Sequence, residues 1–355
     1  MSLEQLRKKI DRIDEQLLRL LNQRMEQVLK ISKEKKKGNL KPFAPERESA
    51  LFARLKKLNT GPLTEEDVTA IFREIVSVCR SVRTELRVAY LGPKGTYTHL
   101  ASMKKFGKKA DHVAAESIQE VFELVEKRQA DYGLVPIENS IEGVVNHTLD
   151  MFFESPLQIC SEITLTISHV LLSRGAASRI KKIYSHPHVF PQCRSWLARN
   201  FPHAELIPVS STSRAALLAR KSAQSACIGN KILADLYGLK TVSTAIEDSL
   251  QNYTRFLVVG EHDSAPSQDD KTSILFSVKD RAGALHDVLA AFKRNKLNLT
   301  KIESRPSKKK PWEYYFFADF EGHRESAAAK KTLKELREGC IFVKVLGSYP
   351  RGQYE

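Results

Sequence analysis

The sequence predicts a multidomain chain: an all-α helical module, then a two-lobed α/β domain, then a C-terminal α+β domain of ferredoxin-like order. Three observations predict it. An apolar seam at helical spacing fills the first part; strand and helix signals alternate from Arg87 to Gly260; and strand-helix-strand-strand-helix-strand runs from Thr272 to Leu346. A chain of 355 residues, 42% of them hydrophobic, is too long for one ordinary core and can bury two or three. The expected divisions are 1–86, 87–260 and 271–350, with polar Glu261 to Asp270 as a linker containing Pro266.

In the first division Leu3, Leu6, Ile10, Ile13, Leu17, Leu20 and Ile31 fall on one face, in mostly three- and four-residue steps. Gly38-Asn39 ends this helix at about 35 residues, or about 50 Å, longer than a small domain can cover, so a partner helix is expected. Pro45 opens a second helix and Asn59-Thr60-Gly61 ends it. Thr64 with Asp67 caps a third, carrying Val68, Ile71, Phe72, Ile75, Cys79 and Val82 on one face. Arg24 occupies the seam position after Leu20, where an unpartnered guanidinium would be costly. Lys35, eleven residues on, returns to within about 20° of the same face, so two cations can converge on one dianion. The plainer alternative is a snorkelling arginine and a surface lysine.

Val88-Ala89-Tyr90-Leu91-Gly92 then reads as a buried strand running into a glycine turn. Ser117 to Arg128 reads as helix and Tyr132 to Ile137 as strand. Such alternation places ligands at loop ends or between lobes. In Asn252-Tyr253-Thr254-Arg255-Phe256 a hydroxyl sits beside a fixed cation at the lip of an apolar strand, where a small anion can be held and protonated; the bland reading is β propensity and a solvated edge. In the last division the strands are Thr272 to Val278, Leu299 to Ser304, Tyr314 to Phe320 and Ile341 to Leu346. The helices are Leu285 to Arg294 and Ala327 to Glu338.

Composition narrows the function classes. The longest apolar runs are strand-length, so no membrane span is expected, and the amphipathic start with acids among its bases fits neither a secretory nor a transit signal. Five scattered cysteines argue for reduced thiols, a cytosolic address and no zinc site. The net charge of +15 is spread among 42 acids without interleaved aromatics, which suits small polyanionic substrates and does not call for nucleic acid.

Gly92-Pro93-Lys94-Gly95-Thr96-Tyr97-Thr98-His99, Pro136-Ile137-Glu138-Asn139-Ser140 with Gly143 and Thr148, Ser185-His186-Pro187, Ser211-Thr212 and Thr254-Arg255-Phe256 together closely resemble the prephenate dehydratase family over Arg87 to Gly260. The resemblance implies a two-lobed, periplasmic-binding-protein-like α/β fold and a decarboxylating dehydration. It implies Thr254 as proton donor, Arg255 as anion anchor or as the group that tunes Thr254, Phe256 as a packing wall, and Thr96, Asn139, Ser140 and Thr212 lining the cleft. Asn139-Ser140 as a helix cap and Thr96 as a turn residue are the structural alternatives. His188 and Pro191 depart from the residues usual after Ser-His-Pro.

Gly283-Ala284-Leu285, Asn298-Leu299-Thr300 and Glu303-Ser304-Arg305-Pro306 resemble the effector motifs of phenylalanine-responsive ACT domains over Lys271 to about Tyr349. Arg7, Arg24, Lys35 and Pro45-Glu46-Arg47-Glu48 resemble the all-helical chorismate mutases over Leu3 to about Leu86, with Arg7 implied to act in the partner subunit of an intertwined homodimer. Two positions depart: Ala44 where some members have aspartate, and Arg83 where glutamine or glutamate is usual. The resemblances imply substrates chorismate and prephenate, effector phenylalanine, a homodimer or higher homo-oligomer, and no metal or redox cofactor. A monofunctional dehydratase with a merely dimerising or sensing helical module, and a non-catalytic amino-acid-binding regulator, are the rival readings.

Overall fold

The computed structural model describes residues 2–37, 43–81, 86–249, 251–306 and 314–352, without the side chains of 32–37 and 81. Three helices open it: α1 (Leu3–Lys37), α2 (Pro45–Leu58) and α3 (Glu65–Ser81). The expected end of α1, Gly38-Asn39, lies outside the described residues; the starts of α2 and α3 have local reasons. Pro45 presets the first turn of α2, and the Thr64 and Asp67 side chains exchange hydrogen bonds with each other's backbone amides at the start of α3. The predicted inner face of α3 is only partly right: Ile71 is exposed while Val76 and Ser77 are buried, because α3 leans on the next domain through Ser77, whose hydroxyl reaches the Phe106 carbonyl. Along α1 the seam from Leu3 to Leu20 is 45–65% exposed within one chain, and Arg24 joins α1 to α3 by donating to Cys79 Sγ at 2.8 Å.

The first lobe of the α/β domain is a sheet of β1 (Arg87–Leu91), β2 (Asp111–Ala115), β3 (Tyr132–Asn139), β4 (Gly143–Val144), β5 (Gln158–Thr166) and β11 (Tyr253–Gly260). Its order is β2-β1-β3-β11-β5, with β4 on β3. Helices α4 (Tyr97–Phe106), α5 (Ile118–Glu126) and α6 (Asn146–Glu154) cover it. The second lobe is inserted between β5 and β11: β6 (Val170–Ser173), β7 (Lys182–Ser185), β8 (Glu205–Pro208), β9 (Ser225–Gly229) and β10 (Lys240–Ser243), ordered β10-β6-β9-β7-β8. A 3-10 turn (Ala177–Arg179) and helices α7 (Val189–Gln192), α8 (Arg194–Asn200), α9 (Thr212–Ala219) and α10 (Ile232–Tyr237) complete it. Two chain crossings therefore connect the lobes, and Ile167 N donates to Asn252 O between them.

The last sheet is β12 (Asp270–Ser277), β13 (Leu299–Pro306), β14 (Tyr314–Glu321) and β15 (Phe342–Pro350), ordered β13-β14-β12-β15, all antiparallel, with α11 (Ala284–Arg294) and α12 (Ala327–Gly339) on one face. Ile274, Phe276, Ala318 and Phe320 pack under those helices. The other face, with Leu275, Phe317, Leu346 and Tyr349, joins Phe122, Leu149 and Phe152 of the α/β domain in one core. At Gly347 a Cβ would lie 2.1 Å from the Ile159 carbonyl, so β15 abuts β5 backbone to backbone. The expected linker has no regular structure, yet it is pinned: Asp263 accepts from Arg324 and from Ser348 N, and Ser264 is buried. Among the described residues no helix is long and apolar enough to cross a membrane.

Candidate active site

Both lobes turn the carboxyl ends of their parallel strands toward one cleft, the place where strand-to-helix turns expose backbone donors. From β1 the chain passes through Gly92 to Gly95 into α4, capped by Thr96, whose Oγ1 accepts from His99 N. Opposite, Ser211 caps α9 by accepting from Arg214 N, leaving Thr212 buried in the first turn. Ser213 Oγ and Asn230 Nδ2 donate to the Lys94 and Gly95 carbonyls at 2.7 and 2.8 Å, which draws the two helix N-termini together. His99 Nδ1 accepts from Gly95 N; burial, with His112 nearby, pushes its pKa down to about 4, so it stays a neutral acceptor.

At the cleft end of the first sheet, β11 starts where β3 ends, and Thr254 is the ladder partner of Asn139. The Asn139 oxygen accepts from the Ile141 and Glu142 amides, which turns its amide nitrogen toward Thr254 Oγ1 at 2.8 Å and Asn252 Oδ1 at 2.9 Å. Ser140 is exposed and fixes the strand start, donating to Gln251 O and accepting from Tyr253 N. Phe256 is buried under Thr254. The network continues across the cleft. Asn252 Nδ2 donates to Gln192 Oε1, Gln192 Nε2 donates to Glu142 Oε1, and His188 Nδ1 lies 2.5 Å from Glu142 Oε2. Sequence reasoning missed Asn252, Gln192, Glu142 and Asn230; nothing in their local spacing marks them, because they are brought together by the lobe crossing.

Arg255 is placed otherwise than an anion anchor requires. It points to the opposite face of β11, where Nε donates to Glu162, Nη1 to Asp319 and Nη2 to the Tyr349 hydroxyl, at 2.6, 2.6 and 3.0 Å. Alternation along a strand is the reason: if Thr254 faces the cleft, its neighbour cannot. Burial would raise the Glu162 pKa, but Arg255 and Lys271 overcome it and hold it at about 2.

The predicted helical site is partly assembled. Arg24 sits half-buried on Cys79, and Arg7 lies exposed in the first turns of α1. Glu48 does not join them. It pairs with Arg80 at 3.1 Å, with Lys105 and Arg73 as its other cationic neighbours, and burial raises its pKa. Arg47 is exposed, in an open groove of about 1390 Å³ running from α2 to Tyr253. The Lys35 side chain, Val82 and Arg83 lie outside the described residues.

In the C-terminal sandwich Gly283 adopts φ +79 at the N-cap of α11, with open space around it; Ala284 is buried and Leu285 half-buried. Asn298, Leu299, Glu303 and Ser304 lie on the adjacent rim and first-edge strand. Arg305 is instead engaged by Asp150 of α6 at 2.9 Å, lining a cavity of about 280 Å³ between the sandwich and α6. That contact removes it from the Gly283 corner.

These features define a modular α/β cleft enzyme with a helical module before the cleft and a ligand-binding type of sandwich after it. The prephenate dehydratase family model matches residues 88–264, the type II chorismate mutase model 6–84 and the ACT domain model 272–338. The chain is 47% identical to the bifunctional chorismate mutase/prephenate dehydratase of Aquifex aeolicus over 354 residues, covering 98% of each, and 44% identical to that of Neisseria gonorrhoeae over 348 residues, covering 97% of this chain and 96% of the relative. The prephenate dehydratase of Arthrobacter aurescens, solved in complex with L-Phe, is 32% identical with a TM-score of 0.70, covering 75% of this chain and 90% of that one. The chain belongs to the bifunctional chorismate mutase/prephenate dehydratases.

Proposed function

We propose that this chain rearranges chorismate to prephenate in its helical module, converts prephenate to phenylpyruvate in the α/β cleft, and is inhibited by phenylalanine through the sandwich. The observation that carries the dehydration is the Asn139 to Thr254 hydrogen bond. Because Thr254 Oγ1 accepts from the amide, its own proton is free to move to the departing ring hydroxyl, and the amide stabilises the oxygen left behind. Carbon dioxide leaves in the same step and the ring becomes aromatic. The N-terminal turns of α4 and α9, at Thr96 and Thr212, suit the carboxylates of the substrate.

For the rearrangement, Arg24 and Lys35 supply the cations for a dianion, with Arg47 as a further contact and Arg83 as donor to the breaking ether oxygen. The bare α1 seam supports a homodimer or higher homo-oligomer in which Arg7 completes the partner's site. Five buried cysteines that form no disulfide among the described residues support a cytosolic location. Gly283 to Leu285, Asn298, Leu299, Glu303 and Ser304 are assigned to phenylalanine. Purified enzyme incubated separately with chorismate and prephenate tests the reading: accumulation of phenylpyruvate from both is expected, and no turnover of prephenate would overturn it.

A further inference from the structure

We propose that Asp319 and Lys301, both in the C-terminal sandwich, are positioning residues for the dehydration carried out in the cleft. The inference rests on the dehydratase reading and on a coincidence of two ladders. On β11 and β3, Thr254 pairs with Asn139, and the next pair along is Arg255 with Glu138. Consecutive pairs point to opposite faces, so when Thr254 and Asn139 look into the cleft, Arg255 and Glu138 look toward the sandwich. On β13 and β14, Lys301 is the ladder partner of Asp319.

These second pairs meet with complementary charge. Asp319 holds Arg255 at 2.6 Å and Lys301 holds Glu138 at 2.6 Å. One cation and one anion from each sheet thus clasp the immediate neighbours of both Thr254 and Asn139. The clasp is dry on one side, where Asp319 is fully buried and also accepts from Ser273 at 2.5 Å. Lys301 is 9% exposed against a Glu138 that is 39% exposed, so this arm can be altered without stranding a fully buried charge.

A hydrogen bond of 2.8 Å between Asn139 and Thr254 requires the two backbones to be held in one register and at one twist, and displacements on the order of 1 Å at a reacting group cost up to about a hundredfold in rate. A bulge between Arg255 and Phe256 interrupts the β11–β3 ladder at this point, so the ladder alone holds register weakly there. The clasp supplies the missing restraint from outside the cleft. It also gives the sandwich a handle on the cleft, because Lys301 lies on the same strand as Glu303 and Ser304.

The test is steady-state kinetics of the full-length enzyme carrying Lys301→Met, Glu138→Gln, both together, Lys301→Arg, or Asp319→Asn. Expected are a fall in kcat on prephenate of about tenfold for Lys301→Met with KM within about twofold, no further loss in the double variant, and near-parent kcat for Lys301→Arg. Phenylalanine inhibition is expected to weaken in Lys301→Met. Asp319→Asn can lose stability, so Lys301→Met, with its melting temperature measured beside it, decides. A folded Lys301→Met enzyme with parent kcat and parent inhibition overturns the clasp while leaving the dehydratase reading intact. A parent enzyme that never consumes prephenate overturns that reading, and the clasp with it.

Discussion

Asn139 Nδ2 donates to Thr254 Oγ1 at 2.8 Å, and the orientation of the amide is settled by two backbone donors on its oxygen. The threonine is therefore an acceptor toward the protein and a donor toward the cleft. Thr254→Ala should lower prephenate turnover by about a hundredfold or more, and Asn139→Asp, which turns the donor into an acceptor that captures the threonine proton, should cost a similar factor. Chorismate consumption by the same preparations should be unchanged. A Thr254→Ala enzyme with near-normal prephenate turnover would remove this residue from the chemistry.

Gln192 touches Asn252, His169 and Glu142 at once. Gln192→Ala should loosen the hold of one lobe on the other and reduce kcat/KM for prephenate by about tenfold. Equal kinetics in variant and parent would show that the lobes close without it.

Arg24→Ala removes the cation at the crossing of α1 and α3 and should cripple chorismate turnover while sparing that of prephenate. Leu17→Asp, placed at the middle of the exposed seam, should convert an oligomer to monomers in sedimentation analysis. If Leu17→Asp leaves the mass in solution unchanged, α1 is covered by something other than a second copy.

Glu162 gives a pH test with a definite sign. Its pKa falls from an ordinary 4.5 to about 2 on folding, so its ionised form stabilises the native state above pH 4.5, and that contribution is lost as pH drops from 4.5 toward 2. Glu162→Gln should lower the melting temperature at pH 7 and flatten its decline across that acid window. Parallel melting curves for parent and variant would contradict the assignment.

Gly283→Val should abolish phenylalanine inhibition with uninhibited turnover retained. The space around Gly283 is open, so the effect would come from its φ of +79, which a β-branched residue adopts only with strain. Calorimetry of the parent with phenylalanine is the companion measurement: absence of binding heat would sink the regulatory assignment.

Much of this was legible beforehand. The helix limits at Pro45 and Leu58 and the six elements of the sandwich follow from caps, breakers and periodicity, which are local. Thr254, Asn139, Thr96 and Thr212 were proposed through motifs, and the fold gathers Thr254 with Asn139 and brings the helix start at Thr96 up against that at Thr212. What could not be read was which side of β11 faces the cleft, since Thr254 and Arg255 differ by one residue and only the register of the sheet separates them. The anion-anchor alternative for Arg255 fails for that reason, while the other, a group that tunes Thr254, is the one the clasp develops. Glu48 pairs elsewhere for another reason: its contacts, with Arg80 of α3 and Lys105 of α4, are long-range.

The burial of Arg255 also imposes an order on synthesis. Its third partner, Tyr349, lies 94 residues further along the chain, and Asp319 lies 64 residues further. At about 5–20 residues per second, β11 leaves the ribosome roughly 5–20 s before the strand that finishes its surroundings. During that interval the guanidinium has only Glu162 from the preceding sequence, and the apolar face that will receive Leu275, Phe317 and Leu346 stands open to water and to holdase chaperones. Arg255, the neighbour of Thr254, thus gains its full set of partners only once the C-terminal sandwich has been made.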